Sequence, residues 1–499
     1  MDYLNNPYVS LILSLLALLP FIHLLRHRRH RLPPSPTGLP IVGHLHLLSG
    51  IPHRSLHQLS LRLGPLFSLR LGAIPCVVAS SAATAAKFFK THDTSFSNRP
   101  NTIAVSVLTY GSSNFSFAPY GAFWRFTKRL YMTELFSSRT LSQFRPLRRD
   151  ELRQLLSELH AKGKQGVAVD VGAELTRLTN NVTTRMAVSR RCSGTDGEAD
   201  EMRRLVLETT GLLGKFNVGD YVWFLRGLDL QGLGRRLKDL HRRFDGMLEK
   251  IMKEKEEERR QRKEEVVKAK DLLDILMDIY EDEHAEDIFT GGTDNTSLTV
   301  QWALAELINH PPAMEKAKAE LDAVTGGRRL VDEPDIPHLP YLQAVITETL
   351  RLHPPTPLIP RESSDDCTVD GFDIPARTRL FINAWAIGRD PEVWHRPLDF
   401  SPERFLPDGD GASGAKGNQF QMIPFGGGKR GCPGMTAAMQ IVQSTLAALI
   451  QCFEWEIAGG GGPADMGEEP GLTLQRATPL MCVPAARMDL AALSPGIFV

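Results

Sequence analysis

Near its C-terminus the chain runs Pro424-Phe425-Gly426-Gly427-Gly428-Lys429-Arg430-Gly431-Cys432-Pro433-Gly434, then passes into an apolar stripe of Met435, Met439, Val442, Leu446, Leu449 and Ile450. No other feature constrains the fold as tightly. The three- and four-residue spacing of that stripe predicts a helix starting just after Cys432, with Pro433 where a first helical turn tolerates proline. The thiol therefore sits at a helix N-terminus, where free amides and the macrodipole favour a thiolate. The glycines let the backbone come close to a flat, bulky partner. A phosphate-binding loop is excluded, because that pattern needs Ser or Thr after Gly-Lys and Arg430 follows Lys429.

Cys432 is one of 6 cysteines, with Cys76, Cys192, Cys367, Cys452 and Cys482. None forms C-x-x-C, which removes zinc ribbons and thioredoxin-type redox motifs, and they are too sparse in 499 residues to be a disulfide scaffold. The other five read as small buried apolar side chains. A hydrophobic content of 42% with 23% charged residues excludes an intrinsically disordered chain. Lys+Arg 58 balances Asp+Glu 58, and aromatics are only 7%, so neither a basic field nor a stacking surface for nucleic acid is present. A thiolate in such a loop can instead ligate haem iron.

Residues 1–31 read as a signal-anchor with its basic flank. Tyr8 to Leu25 carries no formal charge and makes about 27 Å of helix, enough to cross a thin bilayer. Arg26, Arg28, Arg29 and Arg31 follow it, whereas only Asp2 precedes it. The positive-inside rule places everything after the run in the cytosol, and a cleaved secretory signal would have the reverse charge order. Residues 32–40, with Pro33, Pro34, Pro36 and Pro40, form a stiff proline-rich hinge. Residues 41–499 follow as a single catalytic domain.

Within that body, Leu66 to Ala79 reads as two strands turned at Gly72-Ala73. Leu152, Leu155, Leu156 and Leu159 mark a helix, and from about residue 120 the pattern is mostly helical. Glu249 to Lys270 reads as a solvated charged helix. Strand signals return at Cys367 to Ile374 and Arg379 to Ile382; Asp408 to Lys416 reads as a surface loop, and Gly459 to Pro463 as a turn between terminal strands. The fold class is mainly α with small β-sheets, an α+β unit.

The pattern F-x-x-G-x-R-x-C-x-G is matched at every fixed position from Phe425 to Gly434. On these residues the chain resembles the haem-thiolate monooxygenases of the cytochrome P-450 superfamily, plant microsomal type. Glu348-Thr349-Leu350-Arg351 matches that family's E-x-x-R, and Pro402-Glu403-Arg404-Phe405 resembles the segment whose arginine completes a buried triad of Glu348, Arg351 and Arg404. Trp124-Arg125-Phe126-Thr127-Lys128 resembles the helix whose Trp and basic residue face the haem propionates, here with Lys128 in place of the commoner arginine. The resemblance makes Cys432 the iron ligand and Phe425, Gly428, Gly434, Arg430, Trp124, Lys128 and Arg361 its haem contacts. It implies haem (iron protoporphyrin IX) as cofactor and NADPH electrons from a separate NADPH-cytochrome P-450 reductase. It also implies a single-pass protein of the endoplasmic-reticulum membrane with a cytosolic catalytic domain.

Phe289-Thr290-Gly291-Gly292-Thr293-Asp294-Asn295-Thr296 resembles the helix crossing the distal haem face, where an acid and the Thr after it deliver protons. Here Asn295 holds the Thr position, with Thr296 one step later, and an amide lacks the hydroxyl that relays a proton. Asp294, Asn295 and Thr296 are the candidate catalytic residues. Glu286 runs directly into Asp287, so by comparison with the family roughly a dozen residues, or ~18 Å of helix, are missing ahead of this motif. The segments Phe117-Ala118-Pro119-Tyr120-Gly121 and Phe216-Asn217-Val218-Gly219-Asp220 resemble plant flavone synthases of this type, with flavanone 2-hydroxylase as a neighbour. That resemblance implies oxidation of a flavanone at C2, to a flavone or a 2-hydroxyflavanone. The alternatives are an isoflavonoid or pterocarpan hydroxylase, or a catalytically impaired haem-binding form with a shortened distal helix. Family position makes Val105, Leu108, Phe289, Gly292, Leu358, Leu472 and Thr473 the expected substrate contacts.

Overall fold

Leu66–Leu71 (β1) and Ile74–Ala79 (β2) pair antiparallel around Gly72-Ala73. Gly72 has φ 59°, and a Cβ there would fall 2.2 Å from the carbonyl oxygen of Tyr221, so only glycine fits the turn. The structure, a computed structural model, describes residues 31–48, 50–189, 191, 197–261, 271–274, 286–407, 409 and 420–488. The expected anchor before Arg31 and most of the expected loop at 408–416 lie outside the described residues.

Two further strands complete the first sheet: Leu358–Glu362 (β3) and Arg379–Asn383 (β4) give the order β1-β2-β4-β3. β4 runs parallel to β2, with Val77 opposite Leu380, and antiparallel to β3, with Arg361 opposite Leu380. Cys367–Val369 and Phe372–Ile374 form a separate hairpin. Near the end of the chain Phe453–Ile457 (β5) pairs antiparallel with Met481–Ala486 (β6).

Most of the mass is helical: Ile103–Leu108 (α1), Ala122–Leu130 (α2), Arg145–Lys164 (α3), Val171–Val188 (α4), Gly197–Leu213 (α5), Leu233–Gln261 (α6), Glu286–Asn309 (α7), Pro311–Thr325 (α8), Pro340–Leu352 (α9) and Met435–Cys452 (α10). In α7 the consecutive residues Trp302, Ala303, Leu304 and Ala305 are all fully buried, the mark of a helix enclosed on every side. It packs chiefly along α4, with α10 and α9 behind. α10 is the one helix among the described residues that is long and apolar enough to cross a membrane, and it lies in the core, with Leu446–Ile450 fully buried. Glu320 of α8 accepts from the amides of Tyr341 (2.7 Å) and Leu342 (2.9 Å), so a carboxylate caps the N-terminus of α9. Over 249–261 the charged face of α6 is solvated as the sequence suggests, except at Lys255; the rest of that expected stretch, 262–270, lies outside the described residues. That lysine is buried against Asp271 (2.5 Å) and Asp274 (3.1 Å).

The proline-rich segment is stitched to the first sheet. Ser68 donates from its backbone to Pro34 O (2.7 Å) and from its hydroxyl to Pro33 O (2.8 Å). His44 completes the attachment, with Nε2 donating to Pro36 O (2.8 Å) and Nδ1 accepting from the Arg70 amide (2.8 Å). Four prolines thus form a strap whose attitude is set by β1. His44→Ala would strand the Arg70 amide and release Pro36, at a cost of roughly 1–3 kcal/mol. Limited proteolysis should cut the variant faster than wild type between residues 32 and 43; equal rates would show that the prolines alone hold the strap.

Candidate functional site

The loop from Phe425 to Gly434 is closed on itself and clamped from outside. The Cys432 amide donates to Phe425 O (3.0 Å), and Gly428–Arg430 makes one tight turn between them. Gly428 has φ 63°, and a Cβ there would fall 2.3 Å from Asp93 Oδ1. Asp93 occupies that space because its Oδ2 accepts the Lys429 amide (2.9 Å). α10 begins at Met435, with Gly434 as its N-cap. The Cys432 thiol is exposed to a cavity and packed by protein on its other sides. Burial pushes the thiol up, while the Gly434 amide and Lys128 pull it back. The helix-terminus effect is therefore present but smaller than burial; a metal at sulfur would deprotonate it outright.

The cavity measures about 360 Å³, within the ~300–1,000 Å³ of small-molecule sites. Phe425, Gly426, Cys432 and Gly434 form one wall; Asn295, Thr296 and Thr299 of α7 form another; Pro355, Thr356 and Ile359 a third. Strand alternation explains the third wall. Ile359 and Arg361 share the buried face of β3, while Leu358, the expected contact, turns to the opposite face and packs with the Leu56 cluster.

Buried cations gather at this site. Arg99 and Arg430 line the cavity, and Arg361 is 1% exposed. Burial pushes Arg99 down to about 10 and Arg430 down to about 9; burial and the neighbouring Arg99 and Arg430 carry Arg361 well below its usual range. Lys128 is lowered by burial and then by Arg361. Some of their hydrogens are used: Arg361 Nη2 donates to Gly427 O (3.0 Å), Arg99 to Pro360 O (2.7 Å), Lys128 to Lys429 O, and Arg430 to the carbonyls of Ser97, Phe115 and Ala118. Others are not: Nε and Nη1 of Arg361 and the indole N–H of Trp124 are buried without partners. Arg430 lies 4.4 Å from the centroid of Trp124, and Phe115 stacks on the other side at 5.6 Å. Asp93 is the anion that offsets Lys128 and Arg361 here.

Donors without acceptors and cations short of anions are costly in a protein interior. A flat group carrying two carboxylates, with a metal at its centre for Cys432, removes both deficits. Haem fits that description. Arg99 is a cavity-lining cation that sequence reading missed; its signal, a lone arginine in Ser97-Asn98-Arg99-Pro100, has no spacing that separates it from a surface residue.

Behind the loop, Glu348 takes two 2.7 Å bonds from Arg351 and one of 3.0 Å from Arg404, all three buried. Ser401 N also donates to Glu348 (2.9 Å), and Arg351 extends to the carbonyls of Gly388 (2.6 Å), Pro397 (2.6 Å) and Asp399 (3.0 Å).

The expected substrate contacts fare less well. Val105, Leu108, Leu358, Leu472 and Thr473 are absent from the cavity lining. Leu108 is taken up in the core between α1, α5 and α6, and Leu472 packs at Gly214, where a Cβ would fall 2.7 Å from its own. Phe289 and Gly292 lie in the first turns of α7, but their side chains are outside the described residues. Asn295 and Thr296 both reach the cavity, joined by Thr299 one turn on, which the sequence reading overlooked. Asp294 is buried and tied to Thr210, and burial raises its carboxyl.

Comparison with known proteins agrees with this geometry. The cytochrome P450 family profile matches residues 33–483. The 3,9-dihydroxypterocarpan 6A-monooxygenase of Glycine max is 48% identical over 502 aligned positions, covering 97% of this chain and 99% of the relative. A flavonoid 3'-monooxygenase of Crocosmia x crocosmiiflora is 43% identical, covering 96% and 98%. A solved zebra fish cytochrome P450, in a structure with progesterone, superposes with a TM-score of 0.73 at 26% identity, covering 87% of this chain and 99% of that one.

Two substitutions test the site. Glu348→Ala leaves Arg351 and Arg404 buried without their carboxylate, a loss of about 3–5 kcal/mol, read as a lower unfolding midpoint. Arg361→Met removes a buried cation that Asp93 offsets only in part. The haem-free variant should be more stable than the haem-free wild type, while its haem should dissociate faster. Parallel changes in both quantities would mean that Arg361 serves packing alone.

Proposed function

Since the chain belongs to the cytochrome P450 family, we propose that it is a flavonoid monooxygenase, oxidising a flavanone at C2 to a flavone or a 2-hydroxyflavanone. The fold is that family's, mainly helical with small sheets. Its members are haem monooxygenases supplied with electrons by a reductase. Bound haem supplies the redox chemistry that activates dioxygen. The observation that carries the site reading is the Cys432 thiol on one wall of a cavity lined by Arg99 and Arg430, with the buried Arg361 next to them.

In this reading Cys432 Sγ holds the iron, and the loop from Phe425 through Gly428 to Gly434 lets the backbone approach the ring. Arg99, Arg361 and Lys128, with the Trp124 indole, hold the two carboxylates. Arg430 acts mainly by bracing the carbonyls of Ser97, Phe115 and Ala118. Asp294, whose carboxyl burial raises, sits on α7 beside its cavity wall, tied to Thr210. Asn295, Thr296 and Thr299 face the substrate, and Pro355, Thr356 and Ile359 exclude water from the far side. Residues 1–31 anchor the protein in the endoplasmic-reticulum membrane, the strap at 32–40 orients it, and residues 41–499 form the cytosolic catalytic domain served by NADPH-cytochrome P-450 reductase.

The flavonoid class is supported by the pterocarpan and flavonoid monooxygenases among the relatives, and the flavanone by the finer resemblance around Pro119 and Asp220. Hydroxylation of a pterocarpan is a second reading, favoured by the 48% identity to the enzyme named for it. The shortened start of α7 bears on efficiency. The 502 positions aligned with that relative exceed the 499 residues of this chain, so part of the relative has no counterpart here. A wall missing ahead of Asp294 would admit water and hold substrate loosely, and a tenfold loss of rate needs only about 1.4 kcal/mol.

Microsomes carrying the chain and a reductase should convert naringenin to a flavone or 2-hydroxyflavanone, read by mass spectrometry. Conversion of 3,9-dihydroxypterocarpan instead would select the second reading. Cys432→Ser should abolish the thiolate-type Soret band of the reduced carbonyl complex, whereas Cys452→Ser should keep it. Retention of the band in Cys432→Ser would overturn the ligand assignment. Inserting the relative's segment ahead of Asp287 should raise product formed per NADPH consumed severalfold; no change would show the short form to be fully competent.

A further inference from the structure

Asn295 presents an atom that nothing in the protein satisfies. It lines the cavity, and its carboxamide Oδ1 is buried with no hydrogen-bond partner. Its own backbone carbonyl is already taken by the Thr299 hydroxyl (2.8 Å), and Asp294 beside it is engaged with Thr210. A carboxamide oxygen only accepts hydrogen bonds. The other polar side chains described on the lining are hydroxyls, which donate as well as accept, the Trp124 indole, the Cys432 thiol, and the Arg99 and Arg430 cations, which only donate. Among the polar side-chain atoms described on the lining, the Asn295 Oδ1 is the acceptor left buried without a donor.

We propose that Asn295 is a specificity residue, its Oδ1 accepting a hydrogen bond from a hydroxyl of the bound substrate. The ligand class is a phenol or alcohol on a rigid polycyclic skeleton, and the bond fixes which edge of that skeleton faces Cys432 across the cavity. The proposal rests on the haem-thiolate reading above. It gives the residue that departs from the family's Thr a task in selection rather than in proton relay. A site built to bond a substrate hydroxyl discriminates strongly against the analogue that lacks it, because the buried acceptor is then left unpaired.

The test uses the full chain in its haem-bound form and reads binding rather than turnover. Spectral dissociation constants are measured for naringenin and for flavanone without hydroxyl groups, in wild type, Asn295→Leu and Asn295→Thr. Wild type should favour naringenin about tenfold or more. Asn295→Leu should bring that ratio close to one, and Asn295→Thr, which restores an acceptor, should recover part of it. An unchanged ratio in Asn295→Leu overturns the proposal. If that variant instead raises the ligand-free high-spin fraction with the ratio intact, the acceptor serves a water, and the proposal also fails. Loss of the thiolate-type carbonyl band in wild type would be a failure of the haem-thiolate reading, recorded separately from the ratio.

Discussion

One carboxylate ties together the parts of the fold that carry the site. Glu348, fully buried on α9, is held by Arg351 and Arg404 and by the amide of Ser401. Through Arg351 the same group fastens the carbonyls of Gly388, Pro397 and Asp399, so the irregular chain from 388 to 404 hangs on α9. That chain has little regular structure to satisfy its own backbone, and the arginine fork supplies the missing donors. Glu348 has to be in place for this: Glu320 caps α9, and Arg351 reaches back one turn to pair with it. Removing the acid would leave two guanidinium groups in the core and free the segment that leads toward the Cys432 loop.

The cavity rests on the opposite condition, cations that outnumber the anion beside them, Asp93. Around Glu348 every bonded group has a partner. Around the cavity Arg361 keeps two donors unused, the Trp124 indole is unpaired, and burial drives Arg99, Arg430 and Arg361 below their ordinary values. Such groups are costly in a protein interior unless a ligand or water completes them. The two arginine clusters thus differ in kind: one is closed and holds the chain, the other is open and, in the proposed reading, would hold the cofactor.

Asn295 extends that logic from the cofactor to the substrate. Its oxygen is unsatisfied in the same way as the Arg361 donors, but on the α7 wall and with the opposite polarity. Thr299 lies on the same face one turn later and anchors the Asn295 backbone, so the carboxamide is presented from a rigid helix.

The Cys432 loop and the strand pair at Leu66–Ala79 were legible in the amino-acid sequence, because each is set by local chemistry, whereas the set of Glu348, Arg351 and Arg404 was read from the family resemblance. Glycine permits positive φ, alternation marks a strand, and a thiol before an apolar helical stripe marks a helix start. The lining of the cavity was legible only in part: Trp124, Asn295, Thr296, Phe425, Arg430, Cys432 and Gly434 line it as read, whereas the expected apolar contacts Val105, Leu108, Leu358 and Leu472 do not. Leu358 and Ile359 are adjacent and equally apolar, and only the register of β3 on β4 decides that Ile359 faces inward. Leu108 is as apolar as any pocket residue, yet α5 and α6 claim it for the core. Arg99 is an unremarkable arginine until the fold carries it beside Arg361 and Arg430, distant in the chain, and burial turns three ordinary cations into a binding site. Residue chemistry along the chain determined which reaction could be supported; long-range packing alone decided which side chains surround it, because burial and charge pairing exist only once distant segments meet.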